Sequence, residues 1–298
     1  MKLLQLLSCI LIIAVCSCKD DSCIICDGDS DFALIDFEPA WSPDGQTIAY
    51  IHEDVAIGKT GIYLIDTNGT NKRLVYSGVR AYSPAWSPNG EWIAFSDAKK
   101  IHKIRVIGDS LTQLTFAGDE YNPVWSPDAQ WIAYTFSAPN DTSTSGIWIM
   151  RPSGFGTDSR KVGLAGFPTW HPNSQIVLGV RGANSSSIWT RFIKFFPFGY
   201  ATAETVDVIR GNENYYPRYS PDGMRITFQS TFPGSHPQVW IINSDGADAR
   251  QLTSTQGYSP AWSPDGQLIV YTDSRGNNGR LWTMKSDGSI KRQLTYGD

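Results

Sequence analysis

The sequence predicts an all-β fold, a six-bladed β-propeller of four-stranded antiparallel blades, and three observations point to it. A twelve-residue segment recurs six times: "PAWSPDGQTIAY" from residue 39, "PAWSPNGEWIAF" from 84, "PVWSPDAQWIAY" from 123, "PTWHPNSQIVLG" from 168, "PRYSPDGMRITF" from 217 and "PAWSPDGQLIVY" from 260. The leading prolines stand 45, 39, 45, 49 and 43 residues apart. A period in the forties with strand-like content marks one four-stranded blade per repeat. The composition agrees: 11 Trp, 13 Tyr and 13 Phe beside 27 Gly and 17 Pro suit short strands joined by tight turns.

Each repeat reads in order. Ser-Pro-Asp-Gly is a hairpin turn in which Pro presets φ, Asp caps, and Gly accepts the left-handed conformation. An alternating strand such as Ile48-Ala49-Tyr50-Ile51 follows. A third strand comes next, as in "GIYLID" at 61–66, "GIWIM" at 146–150, "QVWII" at 238–242 and "RLWTM" at 280–284. A second turn ("DTNG", "NSDG", "KSDG") leads to a fourth strand such as "KRLVY" or "KRQLT". The aromatics Trp41, Trp86, Trp125, Trp170, Tyr219 and Trp262 recur once per repeat, which suits packing between blades. The P-x-W-S-P-D-G-x-x-I-A-Y pattern, followed by I-Y/W-x-M and D-G, resembles the TolB-type propeller repeat over about residues 38–296, within a propeller domain expected over 38–298. That resemblance implies the fold. It leaves function open, because the repeat serves binding proteins and enzyme accessory domains alike. TolB itself carries an α/β domain ahead of its propeller, where this chain has a tether. Peptidases with such propellers add a hydrolase domain with G-x-S-x-G, a motif this sequence lacks.

Residues 1–18, "MKLLQLLSCILIIAVCSC", have one Lys, an apolar run from Leu3 to Val15 and small residues after it, the proportions of a secretory signal. "VCSC" resembles a bacterial lipobox, with Cys18 the residue to be acylated. Residues 19–37 form an acidic tether. Its stretch "KDDSCIICDGDSD" has one Lys and five Asp, and Lys19-Asp20-Asp21 resembles an export signal of surface lipoproteins. Cys23 and Cys26 form a lone CxxC, and in an oxidising compartment a disulfide loop is expected of them. Asp27, Asp29, Asp31 and Glu38 match positions 1, 3, 5 and 12 of a calcium loop, but Phe32 stands where that loop needs Gly.

The net charge of −4 and the absence of a Lys/Arg run give no electrostatic reason to expect a polyanionic partner, so no nucleic acid is expected. Four histidines, His52, His102, His171 and His236, fall short of a three-ligand catalytic metal set, and no cofactor is expected. The blade-to-blade connections carry an aromatic two residues before the repeat proline: Phe37, Tyr82, Tyr121, Tyr215 and Tyr258, with Phe167 one residue before. Flanked by Asp119, Glu120, Asn122, Asn212 and Asn214, these form a candidate ligand face at the channel mouth, unless the rings only brace the blades. In the fourth repeat, "RFIKFFPFGYATAET" from 191 to 205 sets Phe192, Phe195, Phe196, Phe198 and Tyr200 close together, as a candidate partner patch or as packing on its own blade. The expectation is a monomeric, lipid-anchored outer-membrane propeller, periplasmic or surface-exposed, that binds an envelope protein or glycan without catalysis. A polysaccharide lyase or hydrolase using the same face, or an assembly component of an envelope machine, stands as the alternative.

Overall fold

The computed structural model describes residues 34–296, except 56, 139–140, 142, 157, 182–190, 198–203, 207–213, 233, 235 and 275–277. Twenty-four strands form six antiparallel four-stranded sheets. Blade 1 comprises β1 (Leu34–Trp41), β2 (Thr47–Asp54), β3 (Lys59–Asp66) and β4 (Arg73–Gly78). Blade 2 comprises β5 (Tyr82–Trp86), β6 (Trp92–Asp97), β7 (Lys100–Arg105) and β8 (Thr112–Gln113), and blade 3 β9 (Asp119–Trp125), β10 (Ile132–Ser137), β11 (Gly146–Met150) and β12 (Arg160–Gly163). Blade 4 comprises β13 (Gly166–Trp170), β14 (Val177–Arg181), β15 (Arg191–Phe195) and β16 (Glu204–Val206). Blade 5 comprises β17 (Asn214–Tyr219), β18 (Arg225–Ser230), β19 (Gln238–Asn243) and β20 (Arg250–Gln251), and blade 6 β21 (Gly257–Trp262), β22 (Leu268–Asp273), β23 (Arg280–Lys285) and β24 (Arg292–Gln293). The predicted six-bladed propeller is therefore the fold, with each sequence repeat running from the first strand of a blade into its second. Because β1 starts at Leu34, residues 34–37 belong to blade 1 and not to the tether.

The turn between the first two strands follows from its four residues. In blade 1, Ser42 Oγ donates to Asp44 Oδ1 (2.5 Å) and accepts from Thr47 N (2.9 Å), while Asp44 Oδ1 also accepts from Gln46 N (3.0 Å). The Gly45 N–H closes onto Ser42 O at 2.9 Å with φ at 70°. Blade 6 repeats this with Ser263 and Asp265. Blade 4 has His171 at the serine position, and there Nδ1 accepts from Asn173 N at 3.2 Å.

No sheet can bury both its faces alone, so the apolar core is divided into six clusters, one per blade interface. Ile51, Ile62 and Phe95 belong to the cluster between blades 1 and 2. Ile48, Tyr50, Val270 and Leu281 belong to the one between blades 6 and 1. Each blade is built of consecutive strands, so the ring closes by side-to-side packing rather than by a shared sheet. At that seam Asp36 N donates to Gly279 O (3.0 Å), Arg280 reaches Leu34 O, and the Arg280 guanidinium stands 3.8 Å from the Asp36 carboxylate.

The fourth blade corrects one expectation. Phe192 and Phe195 are not a surface patch: both sit in β15 and are buried, Phe192 edge-on to Phe228 at 5.3 Å and Phe195 among the core residues between blades 3 and 4. Strand alternation sends them to opposite faces of the sheet, each into an inter-blade core. Phe196 is half-buried, and Phe198 and Tyr200 lie outside the described residues.

Candidate functional site

The innermost strands β1, β5, β9, β13, β17 and β21 surround the central channel. All six carry a bulge where the repeat proline stands, since the pairing with the second strand skips residues there. Proline cannot donate to the ladder, and the residue before it takes up the distortion. That residue is left-handed in every blade: Glu38 (φ 51°), Ser83 (54°), Asn122 (53°), Phe167 (52°), Tyr216 (53°) and Ser259 (47°). A non-glycine residue in this region costs on the order of 1–3 kcal/mol. Six equivalent instances make one ring of strained backbone.

Five of these side chains are linked. Asn122 Nδ2 donates to Ser83 Oγ (2.9 Å). Ser83 donates to Glu38 Oε2 from its backbone N (2.5 Å) and its hydroxyl (3.3 Å). Tyr216 Oη donates to Glu38 Oε1 (2.9 Å), and the Tyr216 and Phe167 rings stand 4.9 Å apart. Burial raises the Glu38 carboxyl above its ordinary value, opposed by the bonds from Ser83 and Tyr216. Burial, reinforced by Glu38, pushes the Tyr216 hydroxyl up.

Between this linked ring and the prolines of the first turns lies a cavity of about 360 Å³. Ala40, Ala85, Val124 and Ala261 wall it, Pro127, Pro172 and Pro221 line its other end, and Arg218 stands inside. Glu38 and Arg218 are half-buried and line the cavity. Arg218 Nη1 donates to Pro217 O (2.9 Å). Burial lowers the Arg218 pKa, opposed by Tyr216 and Glu38.

The sequence-predicted residues distribute differently. Tyr82, Tyr121, Tyr215 and Tyr258 are half-buried on the first strands, one position before the left-handed residues. Tyr82 packs on Phe37 (6.0 Å) and Tyr215 on Phe167 (5.3 Å), so both brace neighbouring blades. Burial and then Asp119 push the Tyr121 hydroxyl up to about 12. Asp119 is paired with Lys99 at 2.8 Å. Glu120 and Asn214 are not presented to a ligand: Glu120 is 2% exposed and held by Lys100 at 3.1 Å, and Asn214 is fully buried. Glu38 is not the last position of a calcium loop, because its carboxylate is committed to Ser83 and Tyr216 inside the propeller. Cys18, Cys23, Cys26, Asp27, Asp29 and Asp31 lie outside the described residues.

The histidines are dispersed. His52 Nδ1 lies 2.7 Å from Asp36 Oδ1, His102 stacks on Phe95 at 5.6 Å, His171 meets the Tyr219 edge at 4.9 Å, and His236 is exposed. Among the described residues, no three His, Cys, Asp or Glu side chains converge where a metal ion would sit.

Sequence reasoning passed over Ser83, Tyr216, Ser259 and Arg218. Their only signal was position: one residue before, or one after, each repeat proline.

Fold and site together define a closed six-bladed propeller with a channel crossed by a polar, strained ring. Residues 30–174 and 201–298 match the TolB beta propeller domain, and the chain belongs to that family. It is 34% identical over 82 residues to the Tol-Pal system protein TolB of Alcanivorax borkumensis, covering 26% of this chain and 19% of that one. It is 45% identical over 62 residues to the uncharacterized peptidase YuxL of Bacillus subtilis, covering 20% and 9%. The matched stretch thus spans less than a fifth of either relative. The crystal structure of TolB from Acinetobacter baumannii superposes with a TM-score of 0.72 at 24% identity, covering 83% of this chain and 62% of that chain, a likeness of fold.

Proposed function

We propose that this chain is a lipid-anchored propeller of the cell envelope that binds a protein or glycan through its central channel and performs no chemistry. The observation that carries the reading is the cavity itself: a recess walled by Ala40, Ala85, Val124 and Ala261, held open by a rigid ring of blades and bounded by the Glu38 network. Recesses of this kind, apolar with a few convergent polar groups, are the usual form of a binding site. The dispersal of the four histidines, with His52 held by Asp36, favours binding over metal-assisted lysis. Residues 1–18 as a lipoprotein signal, with Cys18 acylated, and residues 19–33 as a tether would hold the propeller at the outer membrane. The family match, which includes a Tol-Pal system protein among the relatives, supports a protein partner in the envelope.

The test pairs two substitutions. Ala85→Phe fills the channel, and Cys18→Ser removes the site of acylation. Affinity capture from envelope membranes with the full-length protein should recover a partner that the thermally intact Ala85→Phe variant fails to recover. The Cys18→Ser protein should move to the soluble fraction. A partner retained equally by Ala85→Phe would move the binding site away from the channel. Unchanged membrane association of Cys18→Ser would end the lipoprotein reading.

A further inference from the structure

We propose that the outer edge of blade 3 carries a phosphate site, formed by Arg151, Arg160 and Ser159 over the buried Trp131 ring. The site shares no residue with the channel cavity and does not rest on the reading of the channel.

It begins with a difference in loop length. Paired positions on the third and fourth strands lie nine residues apart in four blades: Leu64 and Arg73, Lys103 and Thr112, Ile241 and Arg250, Thr283 and Arg292. In blade 3 the equivalent pair, Ile149 and Arg160, lies eleven apart. The longer connection brings Asp158 and Ser159 beside Trp131. The result is a recess of about 370 Å³ lined by Trp131, Arg151, Asp158, Ser159 and Arg160.

Two cations converge in this recess. The Arg151 guanidinium stands 3.9 Å and the Arg160 guanidinium 5.4 Å from the centre of the Trp131 ring. Trp92, at the same position of blade 2, is covered by one cation, Lys103 at 4.6 Å. A second guanidinium on one ring adds repulsion between like charges, which an anion between them would relieve. Among the lining residues the two guanidiniums meet a single carboxylate, Asp158, which is 60% exposed and 3.3 Å from Arg151 Nε. Arg151 Nη1 donates to Gln130 O at 3.4 Å, and no described bond uses Nη2. Ser159 Oγ accepts from Gly156 N at 3.0 Å, which leaves its hydroxyl proton to donate.

These donors select the ligand. One guanidinium follows β11, the other opens β12, and the hydroxyl belongs to the loop between them. A planar carboxylate has two oxygens and is satisfied by one guanidinium fork, whereas a phosphomonoester has three acceptor oxygens and close to two negative charges. Trp131 is 9% exposed beneath the guanidiniums, so no aromatic face is left for a sugar ring to stack on. The group recognised is therefore the phosphate with a short part of its carrier, whether a soluble ester or a lipid headgroup.

The experiment uses calorimetry on the full-length chain at pH 7.5 and constant ionic strength. Its probes are inorganic phosphate, acetate, glycerol 3-phosphate and water-soluble dihexanoyl phosphatidic acid. Phosphate should bind about tenfold or more tighter than acetate, the range for added hydrogen bonds between charged groups. Arg151→Met and Arg160→Met should each weaken phosphate about tenfold, and Arg160→Lys should keep part of the affinity. Asp158→Asn should tighten phosphate about two- to fivefold, because it removes a competing anion. Arginines that only pack on Trp131 would give no such gain. The comparison of phosphate with acetate needs no variant to fold, and Asp158 is exposed. Dihexanoyl phosphatidic acid binding about tenfold tighter than glycerol 3-phosphate would assign the phosphate to a lipid headgroup, and equal binding to a soluble ester; both support the site. Equal binding of phosphate and acetate, no phosphate binding, affinity unchanged in both Met variants, or an Asp158→Asn chain that binds phosphate no tighter would each overturn the proposal.

Discussion

At the level of single residues, two repeats place a side chain where the hairpin turn is left-handed. Ala129 has φ 60° and Ser174 φ 59°, in the position held by Gly45 at 70° and Gly266 at 69°. Left-handed backbone costs an L-residue about 1–2 kcal/mol, while glycine costs about 0.4–1 kcal/mol in the unfolded chain. Ala129→Gly is therefore expected to stabilise by up to about 1 kcal/mol, read as a higher urea midpoint at constant slope. Ser174→Gly should gain less, because Ser174 Oγ accepts from Asp128 N at 3.1 Å and that bond is lost. A lower midpoint for Ala129→Gly would contradict the strain argument. Glu38 gives a second expectation. Its folded pKa lies above the ordinary value of 4.5 through burial, so its contribution to stability is complete below that value and declines as pH rises through the raised one. Tyr82, Tyr216 and Arg218 face it, and of these only Arg218 carries a charge in that range. Glu38→Gln should flatten the fall of stability above pH 4.5 without abolishing it, since buried Glu53 and Glu120 shift the same way. An unchanged slope of melting temperature against pH would refute this. The hairpin turns were readable in the sequence because Ser, Pro, Asp and Gly act within a few residues of one another. The ring of strained pre-proline residues was not, because Glu, Ser, Asn, Phe, Tyr and Ser share no chemistry. They share a bulge, and a bulge is set by cross-strand register.

At the level of strands and blades, the interfaces alternate. Trp86, Trp170 and Trp262 donate their indole N–H to Ala40 O, Val124 O and Arg218 O of the preceding blade at 3.1, 3.2 and 3.2 Å. At the same three interfaces the pre-proline N–H is met by a side chain of the preceding blade: Ser83 by Glu38, Phe167 by Thr135 (3.0 Å) and Ser259 by Gln229 (3.1 Å). At the other three, the Trp41 and Trp125 indoles and the Tyr219 hydroxyl have no hydrogen-bond partner among the described residues. The blades thus associate as three pairs, although all six repeats look alike in sequence. Trp86→Phe and Trp125→Phe remove the same volume, so their difference isolates the hydrogen bond. Trp86→Phe should cost about 1 kcal/mol more in chemical denaturation, and equal losses would mean that the alternation carries no energy. The repeat sequence made the strands legible, but not this pairing, which depends on where Glu38, Thr135 and Gln229 are aimed: Thr272 of blade 6 stands at the position of Thr135, yet its hydroxyl has no partner among the described residues. Blade 4 misled for a related reason. Its third strand has Phe192 and Phe195 in place of the usual aliphatic pattern, so an element of the core looked like an apolar insertion.

For the whole molecule, the decisive feature is that the ring closes with no strand crossing the seam between blades 6 and 1. Five interfaces join blades that follow one another in the chain, so parting them requires a connection to stretch. The sixth is held by apolar packing and by Asp36. Its carboxylate, 2% exposed, receives His52 Nδ1 at 2.7 Å and faces the Arg280 guanidinium at 3.8 Å, while its N–H bonds Gly279 O. Removing one member of a buried pair leaves an uncompensated charge and typically costs about 3–5 kcal/mol. Asp36→Asn keeps the shape and the backbone bond but weakens the attraction for Arg280, so a loss near the lower end of that range is expected. The control is Glu120→Gln between blades 2 and 3, also 2% exposed and paired with Lys100, whose side chain is 24% exposed and more easily rehydrated. That substitution should cost less, and its effect should stay local because a covalent connection backs the interface. Hydrogen exchange separates the two cases. In Asp36→Asn, amides of β1 and β23 should exchange faster than those of β9 and β10, at a free energy below that of global unfolding, as the ring opens along its uncrossed seam. If protection falls equally around the ring, the propeller unfolds as one unit and Asp36 is an ordinary buried carboxylate.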